Sequence, residues 1–181
     1  MTTRTTRYIA LLRGINVGGH NKVPMAELRE LLADIGYADA KTLLQSGNAV
    51  FTAPTTPTAE VAKAIEAALA AKYGTDIAVM VRTAEEIRAV AAANPLDVGH
   101  PSQFLVVFYA DPVDRTKLEA FDASAHAPEE MALSEREIYY NFPKGMRDAK
   151  LPLLVERKLK VRGTGRNWAT VTKLLALAED E

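Results

Sequence analysis

The chain predicts an α+β protein: two ferredoxin-like (split βαβ) lobes with antiparallel sheets, completed by C-terminal helices. Two patterns carry that reading. Short apolar runs of strand length alternate with longer stretches whose apolar residues recur every three or four positions. In the first half these segments fall in the order β-α-β-β-α-β, and in the second half β-α-β-β-α follows without clear sequence identity. The expected organisation is a first lobe over residues 1–82 containing a glycine-rich loop, a helix and linker over 83–103, and a second lobe over 104–181 that ends in a basic segment.

Tyr8-Ile9-Ala10-Leu11-Leu12 is a buried-strand run that stops at Arg13-Gly14. After a polar loop, Pro24 suits the first turn of a helix whose Met25, Leu28, Leu31, Leu32 and Ile35 form one stripe before Gly36. Strands over Ala40 to Gln45 and Ala49 to Ala53 flank Ser46-Gly47-Asn48, a hairpin signature. Thr56-Pro57-Thr58 opens a second helix, with Val61, Ile65, Leu69 and Tyr73 on one face and Gly74 at its end. Ile77 to Val81 completes the first sheet. Thr83-Ala84-Glu85-Glu86 fits a capping box, and Asn94-Pro95 stops the helix it begins.

The second lobe opens with the strand Phe104 to Ala110, followed by a predicted helix around Asp114 to Phe121. Met131 to Leu133 and Ile138 to Phe142 read as a hairpin about Ser134-Glu135-Arg136. Helices are expected near Leu151 to Leu159 and from Trp168 to Ala178, the latter with Trp168, Val171, Leu174 and Leu175 on one face.

At 181 residues and 48% hydrophobic content the chain can bury a full core without staples. With no cysteine, disulfides, thiolate metal sites and a cysteine nucleophile are excluded. No apolar run approaches the roughly 20 residues that span a bilayer, and the polar N-terminus has no signal-peptide character. A cytoplasmic location and no membrane partner are therefore expected. The net charge of −1 conceals a split, because Asn141 to Lys173 holds nine basic residues and two acids. Such a segment either meets an anionic partner or forms a solvated face.

The residues richest in chemistry lie in Arg13-Gly14-Ile15-Asn16-Val17-Gly18-Gly19-His20-Asn21, between a strand and a helix. Glycines allow backbone N–H groups to turn toward an anion, and Arg13 adds a full charge. The loop matches neither a Walker motif nor Gly-x-Gly-x-x-Gly, and a tight turn needing positive φ at Gly18 and Gly19 is the competing reading. In a split βαβ fold the first and third strands are antiparallel neighbours. The loop after the first and the turn before the third then meet at one end of the sheet. Arg13, Asn16, Gly18 and Gly19 should thus face Gln45, Ser46 and Asn48, a set suited to phosphate or carboxylate, unless the two asparagines satisfy their own turns. Arg166 and Asn167 stand ahead of the last helix, where a guanidinium opposes the helix dipole and calls for an anion or acceptor-rich site, and Thr164 or Asn167 is placed to cap it. Arg166, with Lys150, is expected to join the first-lobe cluster.

His20, His100 and His126 form no metal-ligand pattern, and no serine sits in a nucleophile elbow. No metal, cofactor or catalytic set is expected, although His20 is placed for proton transfer if the site reacts. Glu129-Glu130 and Glu135/Glu137 flank a hairpin and read as solvated.

Three strings together are similar to one family: Leu12 to Met25 (LRGINVGGHNKVPM), Gln45 to Phe51 (QSGNAVF) and Thr164 to Leu174 (TGRNWATVTKL). Over about Tyr8 to Leu175 the chain resembles bacterial proteins of the domain of unknown function 1697 family. The resemblance implies a two-lobed α+β fold in small cytosolic proteins and brings no activity, cofactor or substrate with it. Lys144 to Leu151 resembles a family segment that usually has a serine near Ala149.

The functional expectation is a binding module for a small phosphorylated or other anionic molecule, a nucleotide being one example. The binding residues are Arg13, Asn16, Gly18, Gly19, Gln45, Ser46, Asn48, Lys150, Arg166 and Asn167. An enzyme acting on a phosphorylated or acidic metabolite, with Arg13 and Arg166 as clamps and His20 as acid or base, is the alternative. Weak binding of single-stranded RNA is a further one, because Tyr8 hints at a base-stacking strand while Asn48 to Thr52 lacks the aromatic pair of an RNA-recognition motif. An assembly protein in which the polar loops only join the lobes is the remaining option.

Overall fold

Strand β1 (Thr5–Leu12) forms where the Tyr8 to Leu12 run predicts it, and it is central to a four-stranded antiparallel sheet of order β2-β3-β1-β4. Its partners are β3 (Asn48–Pro54) and β4 (Val79–Thr83), with Ile9 opposite Val50 and Arg82. Strand β2 (Ala38–Leu43) is an edge, bulged between Ala38 and Lys41. The computed structural model describes residues 1–180.

Helices α1 (Met25–Asp34) and α2 (Thr58–Tyr73) contribute the stripes their periodicity required. Leu28, Leu31 and Leu32 from α1 and Val61, Ile65 and Leu69 from α2 pack with Tyr8, Ala10, Leu12, Ala49, Phe51 and Val81 in one core. Alternation along the strands turns Ile9, Leu11 and Val50 to the opposite face, where they are also buried. The capping box is present: the Glu86 N–H donates to Thr83 Oγ1 at 3.0 Å and the Thr83 N–H to Glu86 Oε2 at 2.9 Å, opening α3 (Ala84–Ala93).

The second sheet has order β6-β7-β5-β8, built from β5 (Phe104–Phe108), β6 (Glu130–Leu133), β7 (Glu137–Asn141) and β8 (Thr164–Asn167). Helix α4 (Leu151–Leu159) packs Leu151, Val155 and Leu159 with Val107, Tyr109, Ile138, Tyr140 and Phe142. Helix α5 (Trp168–Glu179) follows β8 directly.

Two features differ from the sequence expectation. The helix predicted around Asp114 to Phe121 is replaced by two 3-10 turns, Arg115–Leu118 and Ala123–His126. Asp114 Oδ1 accepts from the Thr116 N–H at 3.1 Å, and Asp122 Oδ1 accepts from the Ser124 N–H at 3.0 Å. These short side-chain to backbone loops compete with helix propagation. The second difference is β8, a strand absent from the β-α-β-β-α order expected of the second lobe. It supplies the fourth strand, so both sheets share one strand order. Gly163 and Gly165 explain its weak signal: a Cβ at Gly163 would stand 2.6 Å from Val107 Cγ1 and 2.7 Å from the Phe108 carbonyl. Close backbone approach to β5 thus requires residues of low strand propensity.

The chain forms two compact units. The first comprises Met1–Ala89 with the chain from Lys173 onward, and the second is Val90–Thr172. Among the described residues no helix is long and apolar enough to cross a membrane.

Candidate functional site

The end of β1 and the turn before β3 meet, as the antiparallel pairing of the two strands demands. The Leu12 N–H donates to the Gly47 carbonyl at 2.9 Å, and the Arg13 N–H donates to Ala78 O at 2.9 Å on the β4 side. Beyond Arg13 the backbone winds through the left-handed region at Gly14, Asn16, Gly18, Gly19 and Asn21. Val17 and His20 bridge, the His20 N–H donating to Val17 O at 3.0 Å, so Gly18-Gly19 form the tip of a miniature hairpin. Both tip residues have positive φ, 57° and 75°, the pattern of a type I′ turn. Val17 to Lys22 are exposed.

Asn16 holds this loop against the β2–β3 turn. Its Nδ2 donates to Gln45 O at 2.7 Å and to Val23 O at 2.9 Å, while Oδ1 accepts from the Val23 N–H at 2.8 Å. Asn48, fully buried, plays the equivalent part inside the turn, where its Nδ2 donates to Leu43 O at 2.7 Å and Ser46 Oγ at 3.0 Å. Both asparagine amides are therefore committed to loop architecture, the competing reading raised by the sequence. Gly47 has φ 91°, and a Cβ there would lie 2.6 Å from Ile15 Cδ1. Gln45 and Ser46 are exposed beside it, and Arg13 is half-buried.

Arg13, Asn16, Gly18, Gly19, Gln45, Ser46 and Asn48 thus share one end of the first unit. Lys150, Arg166 and Asn167 belong to the second unit, each with partners of its own. Arg166 lies within β8 opposite Val106, 7% exposed, and its Nη1 donates to Thr164 Oγ1 and Gly165 O, both at 2.8 Å. A buried strand position with oxygen acceptors replaces the helix-terminus setting inferred for it. Burial pushes the guanidinium down to about 10, which leaves it charged at neutral pH. Asn167 Oδ1 accepts from the Thr170 N–H at 2.9 Å and so caps α5, one of the two caps expected.

Exposed Lys150 is the N-cap of α4, and here the sequence missed a residue. The Glu129 carboxylate accepts from the Lys150 N–H at 2.9 Å and the Leu151 N–H at 2.9 Å, capping a helix whose own N-cap side chain makes no cap bond. Glu129 is not simply solvated. Its separation from α4 by 22 residues hides that role from any local motif. Glu137, read from sequence as solvated, is instead buried at 5% exposure where β7 begins, and Arg82, at 1% exposure, is a buried charged side chain that the sequence reading did not single out. An arginine in an otherwise apolar strand was the available signal. Tyr8 corrects the hint of a stacking strand. It is 1% exposed, stacks on Phe51 within the helix-covered core, and its hydroxyl donates to Thr56 O at 2.6 Å.

Among the described residues no group of three His, Cys, Asp or Glu side chains is placed to hold a metal ion. No curated protein matches the sequence. Among solved structures, the chain is similar to conserved bacterial protein SP0830 from Streptococcus pneumoniae, with a TM-score of 0.76 and 25% identity over 98% of this chain and 100% of that one. The family model described as "Protein of unknown function (DUF1697)" matches residues 5–139. With its two loops and first sheet all inside that span, the chain belongs to the DUF1697 family.

Proposed function

We propose that the protein binds a small phosphorylated or otherwise anionic molecule, such as a nucleotide, where the glycine-rich loop meets the β2–β3 turn, and that it does so in the cytoplasm. One observation carries the reading: Asn16 locks the two loops together while the Gly18 and Gly19 N–H groups donate to no acceptor among the described residues. N–H donors held in a preorganised turn suit an anion, since the ordering cost has already been met in the free protein. The surroundings are cationic as well. Arg13 and Lys22 lie in the loop, and neither Arg13 to Ala26 nor Ala40 to Phe51 contains an acidic residue. Asn16 and Asn48 act here by positioning, leaving the glycine N–H groups, Lys22 and the exposed Gln45 and Ser46 to meet the ligand. Single-stranded RNA is at most a weak ligand in this reading, because the aromatics of β1 and β3 are buried in the core.

The test is a thermal-shift and calorimetric titration with inorganic phosphate, nucleoside monophosphates and sugar phosphates. A true ligand at 100 times its Kd stabilises by about 2.7 kcal/mol. Lys22→Glu, at an exposed position, should abolish that gain and leave the unliganded fold unchanged. Failure of every anion to stabilise the parent, or equal binding by the variant, would reject the proposal.

A further inference from the structure

The second unit has a separate hollow of about 280 Å³, at the small end of ligand sites. It lies between the chain leaving β5 and the C-terminal end of α4. Its apolar wall is formed by Tyr109, Val113, Leu159 and Val161, and Lys117 and Arg162 supply positive charge. Val161 is 51% exposed and Leu153, on α4 beside the adjoining groove, is 54% exposed, so large apolar side chains continue the wall onto the surface.

Charge is unevenly distributed around this hollow. From Arg157 to Gly163 the chain carries Arg157, Lys158, Lys160 and Arg162 and no acid. Two acids, Asp114, whose Oδ1 is engaged by the Thr116 N–H at 3.1 Å, and exposed Asp111, line the opposite wall, while Glu156 of α4 stands on the basic side beside Arg162. Lys117 Nζ donates to Leu159 O at 3.1 Å, and an ammonium with three N–H groups keeps donor capacity for another acceptor. Arg162 has a loose ion pair with Glu156 at 3.6 Å, its side chain 73% exposed. Such a pair contributes little and exchanges readily for a better acceptor.

We infer that this hollow binds a small anionic amphiphile, its apolar chain along Tyr109, Val113, Leu159 and Val161 and its carboxylate or phosphate head on Arg162 and Lys117. A purely polar anion would leave the apolar wall uncovered, and an apolar molecule would forgo the cations. The occupant therefore combines the two characters, and Asp111 directs the head toward the α4 side. This site is independent of the glycine-loop proposal and shares no residue with it.

The probes are octanoate and octyl phosphate below micellar concentration, with acetate and octanol as controls, read by amide correlation NMR on the full chain. Saturable shifts at Ala110, Asp111, Val161 and Arg162 are expected with one or both amphiphiles, and which of the two binds more tightly identifies the head group. Arg162→Glu and Val161→Asp, both at exposed positions, should each weaken binding about tenfold, with the rest of the spectrum unchanged. Absence of saturable shifts at these amides, unaltered affinity in both variants, or a control that binds as tightly as the amphiphiles would overturn the inference.

Discussion

Asn16 and Leu44 put two residues without glycine's freedom into left-handed backbone, at φ 54° and 61°, on either side of the same junction. The asparagine is repaid by three hydrogen bonds. Replacing it with alanine removes those bonds, each worth about 1 kcal/mol net, and retains a conformation that costs a Cβ-bearing residue about 1 kcal/mol. Asn16→Ala should therefore destabilise by about 2–4 kcal/mol in urea unfolding, whereas Asn16→Gly should recover about 1 kcal/mol of that loss. Equal values for the two variants would show that the backbone conformation carries no cost. Leu44 has no such compensation, since it is 53% exposed. Leu44→Asn should stabilise the protein by about 0.5–1 kcal/mol, because asparagine tolerates the left-handed region and little burial is lost. An unchanged or lowered denaturation midpoint would mean that the leucine side chain contributes packing that offsets its strain.

At the level of elements, the β2–β3 hairpin is the part on which the candidate site depends. Gly47 combines positive φ with a Cβ position 2.9 Å from Leu12 Cβ and 2.6 Å from Ile15 Cδ1. Gly47→Ala should cost at least about 2 kcal/mol, the sum of strain and overpacking, and move the turn away from the glycine loop. Chemical-shift changes should then spread from Gly47 to Asn16 and Gly18. Changes confined to Leu44–Asn48 would show that the two loops are not mechanically joined. The hairpin, the helix stripes and the Thr83–Glu86 box were legible because each is written in neighbouring residues. The meeting of the two loops was legible too, since strand order alone dictates it. Hidden from the sequence were features set by distant partners: β8, whose glycines make sense only against β5, and Glu129, whose carboxylate reaches the start of α4. The asparagine amides lay between these cases. Their residue types suit a ligand or a turn equally well, and only the backbone path distinguishes the uses.

Across the whole molecule, most of the tyrosines are held in their neutral form. Burial, with the Glu156 charge, raises Tyr109 to about 12, and burial with the Glu137 charge raises Tyr139 to about 12. Tyr140 is raised chiefly by burial, and its hydroxyl has no hydrogen-bond partner among the described residues. Tyr37 is likewise raised by burial, as is Tyr73, whose hydroxyl also donates to Glu27 at 2.6 Å. The native state thus keeps protons that the unfolded chain releases from pH 10 upward. The stabilisation is fully present below pH 10 and declines as pH rises through 10 toward 12. Denaturant midpoints should fall across that window, and phenolate absorbance should rise together with unfolding. Phenolate appearing near pH 10 in a chain that stays folded would contradict the burial of these rings.

The first unit draws its residues from both ends of the chain, and this bears on the order of events during synthesis. Residues 1–89 leave the ribosome first with both strands and helices of their sheet, but the last helix enters solution only after all of 90–172 has been made. The ion pair between Arg88 and Glu179, 2.6 Å apart, closes across that whole interval. A nascent chain arrested near residue 170 would hold the strands of the first sheet without the part of the first unit that begins at Lys173. Completion of the first unit therefore waits until the whole of the second unit has been synthesised.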